Sequence, residues 1–269
     1  MANFKMQEAG SLLAANTAVG VFVVSSADSA VGFSTFINRS PFEAEKLRLV
    51  FDLLREPRDL LLDVGANIGT VGVTALGLEN VREVWAFEPD PLNFALLSAN
   101  VSINRLNQRV RLFNAAVGDG VTKFLDLELA VDNLGDHRVR FTSVGGDFDE
   151  ERRDVIQVPS VAIDQVVSAV TLGRAVLWMD VQGAEGMVLA GATRLLAEKV
   201  PVVTEFWPYG LDRSGYYDSF VSNLTGYRYN HVIDLSEPGR LYPCIPASFS
   251  TLWERYSGPG NGQTDLLII

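Results

Sequence analysis

The chain has 269 residues, 48% of them apolar and 20% charged, with 23 glycines and 11 prolines. This is the composition of a globular protein able to bury a full core, and it excludes a disordered, collagenous or disulfide-stapled chain. A formal net charge of −11 repels a nucleic-acid backbone, and the lone Cys244 closes no intrachain disulfide and supplies no cysteine-rich zinc site, which fits a reducing, cytoplasmic compartment.

Near the start, the apolar-leaning stretch 10–27 contains Asn16 and Thr17 and is too interrupted for a membrane-spanning helix. Glu8 suits the basic head of a signal peptide badly. Residues 1–42 are therefore expected to be an extension packed on the main domain, with edge strands at 21–25 and 31–37. A helix at 42–54 leads into that domain, residues 43–269. From there apolar runs at 60–64, 84–87, 110–114, 175–179, 201–205 and 265–269 predict strands, and the helical spacing of 70–78 and 91–103 predicts helices between the first three. Such alternation predicts a largely parallel sheet with helices on both faces. Asp90-Pro91 is the signature of a helix N-cap followed by a proline at the first helical position. Between about 119 and 157 the rhythm changes. Short strands at 123–129 and 138–141 are separated by the turn Asp132-Asn133-Leu134-Gly135-Asp136, and Gly145-Gly146-Asp147 makes a second turn, so this segment is a loop-rich insertion. There is no internal repeat and no low-complexity linker, which favours one domain.

The chemistry begins at the first of these strands. Asp63 ends it, Gly65, Asn67 and Gly69 form a turn, and a helix follows. The glycines allow a ligand close to the backbone, and the helix start presents free N–H groups. A dinucleotide site requires G-x-G-x-x-G; here the spacing is Gly65-x-x-x-Gly69, and the Asp63 carboxylate opposes a pyrophosphate but suits a cationic methionine moiety. That polarity points to S-adenosylmethionine, the alternative being a tight strand-to-helix turn with no ligand. At the end of the next strand Phe87-Glu88-Pro89-Asp90-Pro91 supplies a carboxylate able to accept both hydroxyls of a ribose, with Glu88 and Pro89 on the cofactor side. The bland reading of Glu88 is a solvated loop charge.

Four segments together resemble the FkbM family of S-adenosylmethionine-dependent methyltransferases: Leu62-Asp-Val-Gly-Ala-Asn-Ile-Gly, Phe87-Glu-Pro-Asp-Pro, Asp132-Asn-Leu-Gly-Asp-His-Arg and Trp178-Met-Asp-Val-Gln-Gly-Ala-Glu. The resemblance runs from about residue 59 to 205. The first two segments are common to many methyltransferases; the last, in this order and spacing, is specific. It departs from the usual form at Gln182, where an acidic residue commonly stands. The resemblance implies a Rossmann-like class I methyltransferase fold, α/β, with a seven-stranded mostly parallel sheet whose last strand is antiparallel. It also implies O-methylation of hydroxyls on carbohydrates or secondary metabolites, and it puts Ala115 and Ala116 beside the adenine.

Candidates for the reaction itself lie at strand ends and on the insertion. Asp180 ends the fourth main strand, where the crevice of such a sheet receives ligands. Glu205 interrupts the apolar fifth strand and needs a partner if buried. His137, on the inserted loop, has an ordinary pKa suited to taking a hydroxyl proton, and the resemblance makes it the preferred base. Glu185 is expected only to stabilise a helix start. Trp207, Tyr209, Tyr216 and Tyr217 are expected to divide between an aromatic wall for the acceptor and the core, with two in the core. No tight acidic pair follows either strand, so no metal is expected. A small-molecule or glycan acceptor is expected, with neither nucleic acid nor membrane as partner. Two rival readings remain: a nicotinamide-dependent oxidoreductase, disfavoured by Asp63 and the glycine spacing, and a catalytically silent cofactor-binding partner module.

Overall fold

The computed structural model describes residues 10–167, 172–258, 260 and 262–269; residues 1–9 of the expected extension lie outside them. The chain opens with a hairpin of β1 (Leu12–Asn16) and β2 (Val21–Ser25), then α1 (Val31–Asn38) and α2 (Ala44–Leu54). The first half of the sheet follows as β3 (Arg58–Val64), α3 (Thr70–Gly77), β4 (Val81–Phe87), α4 (Pro91–Ile103) and β5 (Val110–Phe113). The inserted region holds β6 (Ala116–Val117), β7 (Phe124–Leu129), β8 (Arg138–Val139) and β9 (Asp154–Val161), and ends at α5 (Ile163–Val166). The second half is β10 (Ala175–Met179), α6 (Glu185–Ala190), α7 (Thr193–Ala197), β11 (Val202–Phe206), α8 (Pro208–Ser214), α9 (Tyr217–Gly226), β12 (His231–Asp234), β13 (Leu241–Pro243), α10 (Pro246–Tyr256) and β14 (Thr264–Ile268).

The main sheet has the order β13-β12-β14-β11-β10-β3-β4-β5. The five strands from β11 to β5 are parallel, and β14 inserts antiparallel between β11 and β12. The sheet is thus eight-stranded rather than seven-stranded. The extra member, β13, pairs antiparallel with the outer edge of β12 and buries Tyr242, while Pro243 ends it with a residue that cannot extend the ladder. Strand periodicity sends alternate side chains to opposite faces. Leu60, Leu62, Leu177 and Val202 therefore join a core under α6, α7, α9 and α10, and Leu61, Val176 and Val203 join a second core under α2, α3 and α4. Each fully buried leucine contributes about 1.5–3 kcal/mol. Asp90 caps α4, its Oδ1 accepting the Asn93 N–H at 2.8 Å.

Two expectations fail here. Residues 31–37 are helix α1 and not a strand, because the buried Asp28 carboxylate accepts the N–H groups of Ala30 (3.1 Å) and Gly32 (2.6 Å) and so starts a helical turn. The insertion extends beyond 157, since β9 pairs antiparallel with β7 and in parallel with β6 to make a four-stranded sheet, β6-β9-β7-β8, around Ala116, Leu127, Leu129 and Val158.

Candidate active site

The cofactor residues expected from the sequence lie at or just beyond the carboxyl ends of β3, β4 and β5. Asp63 is 1% exposed and its Oδ2 accepts the Gly72 N–H at 3.1 Å; burial pushes its pKa up to about 7. Gly65 has φ 82°, and a Cβ there would fall 1.9 Å from the Asp180 carbonyl oxygen, so only glycine lets the turns after β3 and β10 touch. Asn67, at φ 50°, donates its N–H to Glu88 Oε2 at 2.8 Å. Glu88 Oε1 accepts the Asp90 N–H at 2.9 Å, and burial pushes this carboxyl up to about 8. Asp63, Gly65, Asn67, Glu88, Pro89, Ala115 and Ala116 line one cavity of about 90 Å³. Gly69 does not line it. That glycine sits behind the turn at the start of α3, against Leu97, where its left-handed backbone begins the helix.

The roof of this cavity comes from the inserted loop and the N-terminal extension. The Leu134 carbonyl accepts Nδ2 of Asn67 (3.1 Å) and of Asn93 (2.8 Å), and the Leu134 N–H donates to Asp28 Oδ1 at 3.2 Å. Asn93 and Asp28 carried no motif signal; they matter only because three distant segments meet. His137 also lines the cavity, but its Nδ1 accepts the Ala130 N–H at 3.0 Å. In the neutral ring the proton then lies on Nε2, and burial lowers the pKa, which keeps the ring neutral. With one nitrogen engaged and the other already protonated, the structure argues against the expected role of His137 as general base.

A larger cleft of about 860 Å³ adjoins the cradle, and Asp180, Glu43, Phe42, Val31 and Gly135 line both spaces. Glu205, 3% exposed, lines only the larger one. Gln182, at φ 56°, donates Nε2–H to Asp180 Oδ1 (2.6 Å) and to Glu205 Oε2 (3.2 Å), so its amide ties the two carboxylates together. Burial, reinforced by neighbouring carboxylates, raises the pKa of both. Lys46, missed in the sequence, pairs with Glu43 and with Asp265 Oδ2 (2.6 Å). Against the cost of burial these two carboxylates keep Lys46 charged, and burial raises Glu43 to about 7. Glu185 does more than face a helix dipole: its Oε1 accepts the N–H groups of Val181 (3.1 Å) and Gly183 (3.3 Å) and shapes the turn that carries Gln182.

Of the four candidate aromatics only Trp207 lines the larger cleft. It packs edge-on to Phe148 with ring centres 5.3 Å apart, and the buried Arg138 guanidinium lies over it at 4.8 Å. Tyr209 donates to Glu150 at 2.7 Å, Tyr216 packs on Phe141, and Tyr217 packs on Trp253. Among the described residues no group of three or more His, Cys, Asp or Glu has the arrangement of a metal site.

An open α/β sheet whose glycine turn and acidic side chains meet at the carboxyl ends of its parallel strands defines a Rossmann-like cofactor-binding domain. The family model for the methyltransferase FkbM domain matches residues 63–229, and the chain belongs to that family. Its similarity to the 2-O-methyltransferase NoeI of Sinorhizobium fredii (strain NBRC 101917 / NGR234) is 30% identity over 181 residues, covering 62% of this chain and 72% of that protein. The crystal structure of methyltransferase FkbM from Methylobacillus flagellatus KT is similar with 16% identity and a TM-score of 0.48; the match covers 79% of this chain and 44% of that one, so the chain spans less than half of its length. Membership of a methyltransferase family sets aside the nicotinamide-dependent oxidoreductase. Among the described residues no helix is long and apolar enough to cross a membrane.

Proposed function

We propose that this chain uses S-adenosylmethionine to methylate a hydroxyl of a small carbohydrate, glycan or secondary metabolite. The observation that carries this reading is the position of Asp180, which lines both the narrow cradle and the larger cleft. A donor in one space and an acceptor in the other would meet at a buried carboxylate.

The cradle's residues suit the cofactor. Asp63 offers negative charge to a cationic ligand, Glu88 retains lone pairs for ribose hydroxyls beyond the two backbone N–H groups it already holds, and Ala115 with Ala116 leaves space for a flat ring. When bound, S-adenosylmethionine would supply a methyl group on positively charged sulfur. The chain's own contribution is then to hold two partners close and aligned and to receive the hydroxyl proton. Asp180 and Glu205 take the base role that His137 cannot. Burial raises the pKa of both, which makes each ionised carboxylate a stronger proton acceptor, and the Gln182 amide fixes both.

Eight carboxylates against three cationic side chains line the larger cleft, which opposes phosphorylated acceptors and nucleic acid and suits a neutral polyhydroxylated one. The name 2-O-methyltransferase carried by the NoeI relative also favours oxygen as the methylated atom. Incubation with labelled S-adenosylmethionine and a panel of sugars, polyketides and phenols, read by mass spectrometry, tests the proposal. Label on a hydroxyl oxygen is expected, with Asp180→Asn and Glu205→Gln each lowering the rate by about 10²- to 10⁴-fold. Cofactor binding without label transfer to any acceptor would favour the silent partner module.

A further inference from the structure

The two nitrogens of His137 differ in a way the proposed chemistry does not use. Nδ1 is occupied by the Ala130 N–H, so Nε2 carries the ring proton. Nε2 is enclosed and has no hydrogen-bond partner among the described residues. Buried donors are nearly always paired, and one left unpaired in a functional cavity calls for a partner. The ring belongs to the lining of the cradle, alongside Glu88, Ala115 and Ala116.

The cradle explains why that partner is absent from the protein itself. Its volume of about 90 Å³ is below the roughly 300–1,000 Å³ of a site that holds a small ligand. A nucleoside can enter only if the roof shifts, and His137 is part of the roof. Asp63 and Glu88 offer acceptor oxygens to a ligand, whereas Asn67 and Asn93 each direct an amide N–H to the Leu134 carbonyl of the roof. Arg138 Nε also makes no hydrogen bond, but it faces Glu128 Oε1 at 3.9 Å, and its other nitrogens are committed to Asp136 and Glu150. The Nε2–H of His137 is a buried cradle donor that no acceptor among the described residues engages, and an adenine ring presents nitrogen acceptors that ionised carboxylates cannot satisfy.

We propose that His137 is a cofactor-binding residue whose Nε2–H donates to a ring nitrogen of the adenine of S-adenosylmethionine once the roof closes on it. This inference rests on the cofactor reading above and adds to it a donor role for His137. It requires no change of protonation and no reaction step.

Calorimetric titration of the full chain with S-adenosylhomocysteine and with 5′-methylthioadenosine, which lacks the amino-acid carboxylate, tests it in three variants. Glutamine can bring an amide donor to the place of Nε2 but loses the acceptor at Nδ1; asparagine keeps an acceptor near Nδ1 for Ala130 but has no donor at Nε2. We expect His137→Ala and His137→Asn each to weaken both ligands about tenfold, and His137→Gln to bind within about threefold of wild type. Near wild-type binding by His137→Asn together with weak binding by His137→Gln would show that the ring only clasps the Ala130 loop, and would overturn the proposal. Loss confined to S-adenosylhomocysteine would overturn it too, by moving the contact to the carboxylate. Failure of the wild-type chain to bind either ligand would instead overturn the cofactor reading, and this inference with it.

Discussion

Glu88 holds the Asn67 and Asp90 N–H groups on its two oxygens, yet burial still pushes its pKa up to about 8. Burial therefore shifts Glu88 towards its protonated form near neutral pH, and Asp63, raised to about 7, in the same direction. Ribose hydroxyls donate to a carboxylate and a sulfonium is attracted by one, so a bound cofactor favours the ionised forms. Binding then releases protons. The affinity for S-adenosylmethionine should rise between pH 6.5 and 8.5, and Glu88→Gln should flatten the upper part of that rise; titration calorimetry across the range checks both, and an affinity that falls with pH would contradict the assignment. Without ligand the sign is opposite. The folded pKa values exceed the unfolded ones, so the stability these two groups contribute is full below about pH 4 and is lost as pH rises through about 7 to 8. Gln182 works by the same logic from the other side: its neutral amide holds Asp180 and Glu205 together without adding a third charge to their pair.

At the level of elements, the N-terminal hairpin is held by an unusual partner. Asn100 on α4 and Asn104, one turn later at its C-cap, hydrogen-bond to the β2 backbone as a neighbouring strand would. Asn100 accepts the Val23 N–H at 2.6 Å and donates to the Val23 carbonyl at 3.1 Å; Asn104 accepts the Val21 N–H at 2.9 Å and donates to the Val21 carbonyl at 2.7 Å. Asn100 also donates to the Ile68 carbonyl at 2.9 Å, within the glycine turn. Asn100→Ala strands three backbone groups and should destabilise the fold by about 2–4 kcal/mol, measured by urea unfolding. It should also weaken S-adenosylhomocysteine binding, because the turn loses a support. An Asn100→Ala chain as stable as wild type would show that β2 is held by packing alone.

At the scale of the whole molecule, the extension, the sheet ends and the insertion close around two connected spaces. Asp28 makes this explicit, since one carboxylate accepts the first-turn amides of α1 and the Leu134 N–H of the cradle roof. The acidic junction already contains a cation: Lys46 sits between Glu43 and Asp265. An ammonium in that position compensates the charge that a metal ion would otherwise neutralise. Turnover is therefore expected to persist in EDTA within about twofold of the untreated rate, and loss of activity restored by Mg²⁺ would show that Asp180 and Glu205 share an ion.

The sequence by itself determined what local chemistry can encode. Strand runs at 60–64 and 175–179, the helix over Pro91–Ile103 with its Asp90 cap, and the glycine turn flanked by Asp63 and Glu88 all depend on neighbours close in the chain, and they reappear in the structure with small shifts at their ends. The family followed from motif order. Only the tertiary structure decided the rest. Residues 31–37 alternate like a strand but become α1 because Asp28 starts a helix there. His137 has the residue type of a base but is turned into a donor by a backbone N–H seven positions away. Gly69 belongs to the motif yet stands behind the cavity. Lys46, Asp28 and Asn93 carry no signal of their own, since their roles exist only where segments far apart in sequence come within hydrogen-bond range. A motif records which groups are present; proton position, desolvation and partner choice depend on what the fold brings beside them.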